Sequence, residues 1–157
     1  MKYYIYLDDV RTPLPNPSTH ETPEWIVVRS YDEFVAKITE LGLENIALIS
    51  LDHDLGDTAM MEWHTNVYRN FTLNYDNITE KTGMDCTKWL VEQWMDGAPV
   101  CKVMIHSANA IVLQKFSTIL AVPYLAGDAG VPLFGSTALR SVDMNFTLGQ
   151  SLFLIDH

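Results

Sequence analysis

The chain has 157 residues, and its 20 acidic against 10 basic side chains give a formal net charge of −10. That length is typical of one domain with a single hydrophobic core, and we expect residues 1–157 to fold as one unit. With 48% hydrophobic and 19% charged residues, the chain can bury a core, which argues against intrinsic disorder. An acidic surface repels polyanions, so we expect no duplex nucleic acid as the main partner.

The sequence lacks the marks of a membrane or secreted protein. It has no run of about 18 apolar residues, so we expect no membrane span. The N-terminal segment reaches an acidic pair at positions 8 and 9 and carries no secretory cleavage pattern. Cys86 and Cys101 are too few and too isolated for a disulfide framework or a zinc site. We therefore expect a cytoplasmic protein, and the oligomeric state stays open.

The first half of the chain contains three short apolar runs and one amphipathic segment. Residues 2–7 and 25–28 are apolar and end in polar side chains, which predicts two strands. Ser30 is a suitable N-cap for an amphipathic helix over residues 31–41. The apolar run 45–51 predicts a third strand, which also ends in acidic residues.

Residues 57–81 interrupt this regular pattern with a polar and aromatic stretch. We interpret the stretch as an insertion after the third strand. Connections of this length are often functional loops, although the aromatic side chains could equally form a small satellite core.

Regular patterning resumes after the insertion. Thr82 or Asp85 can cap the next amphipathic helix, and residues 100–105 predict a fourth strand. Residues 110–120 predict a further helix. The C-terminal segment 121–157 is irregular, and we expect one or two further strands in it. Alternation of strands and helices predicts an α/β fold with a parallel sheet covered by helices on both faces.

Polar side chains gather where the predicted strands end. The carboxyl ends of parallel strands lie along the same edge of a sheet, and ligands bind there at the topological switch point. We therefore expect four clusters to meet in space. They are Asp8, Asp9 and Arg11; Arg29 and Ser30; Asp52, His53 and Asp54; and His106, Ser107 and Asn109.

The aspartates of these clusters predict a cation site. Asp8, Asp9 and Asp52 would repel one another at short range unless a cation or protons neutralise them, and Asp54 is a further candidate ligand. Carboxylate oxygens suit Mg²⁺ or Mn²⁺ and do not suit zinc. The alternative is that these acids only cap loops or lie solvated at strand ends.

Two histidines are candidates for acid and base catalysis near neutral pH. His106 is the stronger candidate because it opens a polar run at a strand end. His53 lies beside two aspartates, and the alternative for it is a packed, hydrogen-bonded residue.

Four other side chains are candidates for binding phosphate. Arg11 and Arg29 can form bidentate contacts with phosphate oxygens, with salt bridges to the neighbouring aspartates as the alternative. Ser107 and Asn109 can donate hydrogen bonds to the same group. No glycine-rich phosphate loop is present, which argues against ATP or NAD as the principal ligand.

The acid pair after strand one, Asp52 after strand three and Ser107 after strand four resemble the pattern of response-regulator receiver domains. That resemblance implies a three-layer, flavodoxin-like sheet of strand order 2-1-3-4-5. It also implies a Mg²⁺ site on the three acids, with Asp52 as the acceptor of a phosphoryl group and Ser107 in contact with that group. Receivers carry a lysine after strand five, usually followed by proline, and no Lys-Pro pair occurs in this chain.

A more specific resemblance covers five motifs in order and spacing. The chain is similar to the receiver-like family termed the cyclic-phosphate processing receiver domain. The motifs are LDDVRTP at 7–13, VRS at 28–30, SLDHDLG at 50–56, TGMD at 82–85 and HSAN at 106–109.

These observations lead to three functional hypotheses. The first is a metal-assisted phosphoesterase that processes the cyclic phosphate of a small nucleotide or an RNA end, with His106 and His53 moving the protons. The second is a non-enzymatic receiver-like module for signalling or binding, in which the site binds a divalent cation and a phosphate group. The third is a haloacid-dehalogenase-like phosphatase, which leaves Asp8 and Asp9 unexplained.

Overall fold

A computed structural model describes residues 2–13, 24–107 and 109–120 of the chain. These residues contain one sheet of four parallel strands in the order β2-β1-β3-β4. The strands are β1 (Tyr3–Leu7), β2 (Trp25–Val28), β3 (Ile46–Leu51) and β4 (Lys102–Ile105). The predicted parallel α/β sheet and the order 2-1-3-4 are confirmed. The expected fifth strand falls in residues 121–157, which lie outside the described residues.

The helices are α1 (Tyr31–Leu41), α2 (Asp57–Glu62), α3 (Tyr68–Asn70), α4 (Gly83–Met95) and α5 (Ala110–Leu120). Helix α1 begins where the sequence predicts, because the side chain of Ser30 accepts a hydrogen bond from the Glu33 amide. At the start of α4, Thr82 is the N-cap and Asp85 completes a reciprocal capping box. None of the helices in the described ranges is long and apolar enough to cross a bilayer.

Helices α1, α4 and α5 pack on the same face of the sheet. The strand order explains this, because the crossovers from β2 to β3 and from β3 to β4 run in the same direction, and parallel crossovers are right-handed in nearly all proteins. Each large apolar side chain buried there contributes about 2 kcal/mol. The core includes Ile5, Leu7, Val28, Ile49 and Leu51 from the sheet and Phe34, Ile38, Leu90, Trp94, Val112 and Phe116 from the helices.

The opposite face of the sheet carries a different set of side chains. Tyr6, Ser50 and Met104 are aligned across β1, β3 and β4, and neighbouring positions on each strand point into the core. Asp8 lies two positions after Tyr6, and His106 lies two positions after Met104, so both residues belong to this same face. Their side chains therefore lie on the side of the sheet opposite the core formed by α1, α4 and α5.

The insertion is mostly helical, so the interpretation of residues 57–81 as a long loop is wrong. A π-helical turn, Trp63–Val67, joins α2 to α3, and a short 3₁₀ turn follows at Tyr75–Asn77. The aromatic side chains of the segment differ in exposure. Tyr68 and Phe71 are more than two-thirds exposed, whereas Tyr75 packs against the main core and the His53 ring. The centre of the segment is the buried carboxylate of Glu62, which accepts hydrogen bonds from three amide groups. The donors are Asn66 Nδ2 (2.8 Å), Asn74 N (2.9 Å) and Asn77 Nδ2 (2.7 Å).

Candidate functional site

Three strand ends are bound to one another at the carboxyl edge of the sheet. The amide of Asp52 donates to the carbonyl of Leu7 at 2.9 Å, and the amide of His106 donates to the carbonyl of Leu51 at 2.9 Å. These bonds extend the strand pairing by one residue beyond Leu7 and Leu51. The connection from β1 leads to β2 on one side of β1, and the connection from β2 leads back past β1 to β3 on its other side. The carboxyl edge between β1 and β3 is therefore the topological switch point of the sheet.

The carboxylates of Asp8, Asp9 and Asp52 form a cluster at this edge. One oxygen from each lies within 4.8 Å of the others. Asp8 and Asp52 are buried, and Asp9 is partly exposed. The structure thus brings together the three acids that the sequence predicts as cation ligands.

Arg11 spans two of the three carboxylates. Its Nε lies 2.6 Å from Asp8 Oδ2, and its Nη2 lies 3.0 Å from Asp52 Oδ2. The side chain is 42% exposed, while its two partners are almost fully buried. The guanidinium therefore neutralises part of the cluster from its open side, as the salt-bridge alternative for Arg11 predicts.

The surroundings shift the pKa values of these carboxyl groups in opposite directions. Burial acts to raise the pKa of Asp8, but hydrogen bonds from His106 and Arg11, with the Arg11 charge, outweigh it and hold that pKa at about 2. Burial raises the pKa of Asp52, and the attraction of Arg11 and His106 offsets only part of the rise. Burial also raises the pKa of Asp9. Asp8 is thus the most firmly ionised acid of the cluster.

His106 faces the cluster in a fixed orientation. Its Nε2 lies 3.2 Å from Asp8 Oδ2 and its Nδ1 lies 2.7 Å from Ser50 Oγ. The ring stacks on Tyr6 at a centroid distance of 4.4 Å. Since the carboxylate of Asp8 only accepts, Nε2 carries the hydrogen toward it, and Nδ1 is held by the serine hydroxyl.

Arg29 lies at the same edge and fastens the loop that carries the acids. Its Nη1 donates to the carbonyl of Asp8 at 2.7 Å and also to the carbonyl of Arg11. The amide of Arg11 in turn donates to Asp8 Oδ1. The backbone on both sides of Asp9 is therefore held in place.

Ser107 and Asn109 lead from His106 into α5. The hydroxyl of Ser107 accepts a hydrogen bond from the Asn109 amide at 3.2 Å. Asn109 is fully buried, and within the described part of the chain its side-chain amide has no hydrogen-bond partner. Both residues follow His106 in the chain, and among the described residues neither forms a hydrogen bond to the carboxylate cluster.

His53 and Asp54 form a separate buried pair. His53 Nδ1 lies 2.6 Å from Asp54 Oδ1, and His53 Nε2 lies 3.1 Å from the Tyr75 hydroxyl. The His53 ring is 0% exposed and also packs edge-on against Phe116. This position matches the packed, hydrogen-bonded alternative for His53. The Asp54 carboxylate is engaged by His53 and is not one of the three clustered acids.

The sequence reasoning gave no role to Ser50, Tyr6 or Gly83, which support the site. Ser50 is the single polar residue in an otherwise apolar strand, and that exception is the signal that could have revealed it. Gly83 packs so closely on β3 that a Cβ atom there would lie 1.8 Å from the carbonyl oxygen of Asp52. The TGMD motif therefore combines a helix cap with a glycine that lets α4 approach the carboxylate cluster.

Comparison with known protein families identifies the chain. Its sequence matches the family model described as the cyclic-phosphate processing receiver domain over residues 3–121. The chain belongs to this family. No curated protein and no solved structure matches it. The resemblance inferred from the five motifs is thus confirmed.

In this cyclic-phosphate processing receiver domain, the candidate site lies at the carboxyl edge of the sheet, inside the matched span. The matched span contains all four described strands and each of the three clustered acids. The name of the family connects the receiver fold with the processing of a cyclic phosphate.

Proposed function

We propose that this cyclic-phosphate processing receiver domain is a metal-assisted phosphoesterase that opens the cyclic phosphate of a small nucleotide or an RNA end. The observation that carries the proposal is the contact between His106 and the cluster of Asp8, Asp9 and Asp52. An acid cluster alone fits a binding module. A histidine held against it by a second hydrogen bond adds a group that can transfer a proton.

The donor set fits Mg²⁺ or Mn²⁺. Asp8, Asp9 and Asp52 offer three carboxylate oxygens within 4.8 Å of one another, and hard oxygen ligands are what these ions prefer. A divalent ion bound there supplies Lewis acidity to a phosphoryl oxygen. The three carboxylates, two of them buried, would hold the positive charge of the ion at the sheet edge where the substrate phosphate would bind.

His106 is the proton donor to the leaving oxygen in this proposal. Hydrolysis forms a bond from a water oxygen to phosphorus and breaks one ester P–O bond of the ring, so the departing sugar oxygen needs a proton. The donor is the imidazolium form of His106, in which both ring nitrogens carry hydrogens. Its Nε2–H is directed at the cluster, and its Nδ1–H is bonded to the Ser50 hydroxyl oxygen. The fixed ring orientation supports this role because proton transfer requires a donor within hydrogen-bond reach.

Asp9 accepts the proton of the attacking water. It is the partly exposed acid of the cluster, so its carboxylate oxygen that does not hold the cation is the one open to water. His53, the base suggested by the sequence, is enclosed with both nitrogens engaged, and we give it a structural role instead.

The two arginines have different roles, since Arg11 binds the phosphate and Arg29 holds the loop that carries the acids. Arg11 carries the exposed guanidinium of the site and can offset charge that develops on the phosphoryl oxygens. Arg29 positions the acid loop through the carbonyl groups of Asp8 and Arg11.

Phosphorus NMR of the protein with Mg²⁺ and a nucleoside 2′,3′-cyclic phosphate tests the proposal. We expect conversion of the cyclic phosphate to a monoester by the wild type and loss of that conversion in Asp52→Asn. Persistence of the cyclic phosphate at near-stoichiometric protein would overturn the phosphoesterase proposal. It would favour the receiver-like module that binds a cation and a phosphate group.

A further inference from the structure

Arg11 contacts two of the three carboxylates that form the candidate cation site. Its Nε contacts Asp8 Oδ2 at 2.6 Å, and its Nη2 contacts Asp52 Oδ2 at 3.0 Å. Asp8 and Asp52 are also two of the three acids of the cluster. A divalent ion bound to these carboxylates would lie within a few ångströms of the guanidinium, and two positive charges at that distance repel each other even where solvent screens them in part.

We infer that Arg11 is an internal counter-ion that competes with the divalent cation, so that cation and phosphate bind cooperatively. This inference rests on the cation site of the proposed function. A phosphate group offers the guanidinium a bidentate acceptor of similar geometry to the carboxylates. When phosphate binds, Arg11 moves to it and leaves Asp8 and Asp52 to the cation.

The attachment of Arg11 allows such a movement of the side chain alone. Its backbone is fixed, because its amide donates to Asp8 Oδ1 and its carbonyl accepts from Arg29. The side chain is 42% exposed and has solvent on its open side. The guanidinium can therefore turn from the carboxylates to a bound anion while the acid loop stays in place.

Cooperativity follows because Arg11 interacts with both the carboxylates and the phosphate. Phosphate draws the guanidinium away from the cation site, and a bound cation displaces the guanidinium toward the phosphate. Thermodynamic linkage requires the two effects on affinity to be equal. Couplings between sites are typically about 5-fold to 150-fold in affinity. We expect about a tenfold effect, since the guanidinium is half exposed and partly screened by solvent.

The test measures Mn²⁺ affinity through the electron paramagnetic resonance signal of the free ion, with and without dimethyl phosphate. Dimethyl phosphate is a monoanionic phosphodiester. For the wild type, we expect dimethyl phosphate to tighten Mn²⁺ binding about tenfold. For Arg11→Met, we expect Mn²⁺ alone to bind about tenfold more tightly than to the wild type, with little further effect of dimethyl phosphate.

Arg69→Met is the matched control, because it removes the same charge from an exposed position on α3. We expect its Mn²⁺ affinity to equal that of the wild type. Circular dichroism establishes that each variant is folded. If Arg11→Met does not fold, Arg11→Lys carries the test, because an ammonium cannot span both carboxylates and should give an intermediate gain in Mn²⁺ affinity.

Equal or weaker Mn²⁺ binding by the folded Arg11 variant would overturn the inference and leave the cation site intact. A gain shared by Arg69→Met would overturn it too, since net charge would then explain the effect. If no variant binds Mn²⁺ even with dimethyl phosphate present, the cluster is not a cation site, and this inference is overturned together with the cation site of the proposed function.

Discussion

The Nε2 atom of His106 lies 3.2 Å from Oδ2 of Asp8, although 98 positions separate the two residues in the chain. The first and last described strands supply them, and β3 lies between as the common neighbour of β1 and β4. From β3, the Ser50 hydroxyl fixes the opposite nitrogen of the ring. The acid of the first motif and the histidine of the last are thus parts of one hydrogen-bonded unit.

Ser50→Ala should lower kcat about tenfold and leave KM nearly unchanged, because it frees the His106 ring without removing a phosphate contact. The measurement is steady-state hydrolysis of a cyclic phosphate, with kcat and KM determined separately. Thr39→Val removes an exposed hydroxyl on α1 and should behave as the wild type. A change in KM alone would contradict the positioning role of Ser50.

Asp8→Asn and Asp52→Asn should change stability in opposite directions when unfolding by urea is followed at pH 7 with a chelator present. The Asp8 carboxylate accepts bonds from His106 and Arg11, which hold its pKa low, so its replacement should cost on the order of 1–2 kcal/mol. Burial raises the pKa of Asp52, which means that its ionised carboxylate destabilises the folded state. Asp52→Asn removes that charge and should therefore increase stability. Equal losses for both variants would contradict this difference between the two acids.

Gly83→Ala should destabilise the fold by about 2 kcal/mol or more, because the new Cβ meets the Asp52 carbonyl oxygen at 1.8 Å. The backbone of β3 or of α4 must shift to relieve that contact. Amide NMR shifts of Asp52 and His53 should change with it. Gly97→Ala is the comparison, since its Cβ meets nothing within 4 Å but its φ of 96° is unfavourable for alanine. We expect it to cost about 1 kcal/mol and to leave the Asp52 amide unmoved.

Glu62→Gln should weaken the insertion in a pH-dependent way. Burial acts to raise the pKa of Glu62, but hydrogen bonds from Asn74, Asn77 and Asn66 outweigh it and lower that pKa. A carboxyl group whose pKa is lower in the folded protein than its ordinary value of 4.5 stabilises the fold at pH values above 4.5. This stabilisation is lost as the pH falls through the pKa of the folded state. Urea unfolding should show about 2 kcal/mol between wild type and variant at pH 7 and a smaller difference at pH 4. A difference independent of pH would contradict an ionised Glu62.

Much of the site could be predicted from the sequence because each part is encoded locally. Asp8, Asp52 and His106 each follow a short apolar run, and the topology of a parallel sheet brings such strand ends together. The caps at Ser30 and Thr82 were equally local. The family resemblance added the strand order, which periodicity alone does not provide.

Other features depend on contacts that no local pattern reveals. His53 and the sheet-edge residue His106 have similar sequence surroundings, and only the packing of His53 against Tyr75 and Phe116 distinguishes them. The insertion was missed as a helical segment because Glu62 occupies a buried position where helical periodicity expects an apolar side chain. Its three amide donors come from residues up to 15 positions away.

The central claim is that the edge formed by Asp8, Asp9, Asp52 and His106 hydrolyses a cyclic phosphate. Its most direct test is phosphorus NMR in ¹⁸O-labelled water of a short RNA ending in a 2′,3′-cyclic phosphate, with Mg²⁺ and the wild type, His106→Ala or Asp52→Asn. We predict a terminal monoester that carries one ¹⁸O atom on phosphorus with the wild type and an unchanged cyclic phosphate with both variants. A cyclic phosphate that persists with the wild type, or a monoester that forms equally with His106→Ala, would contradict the account.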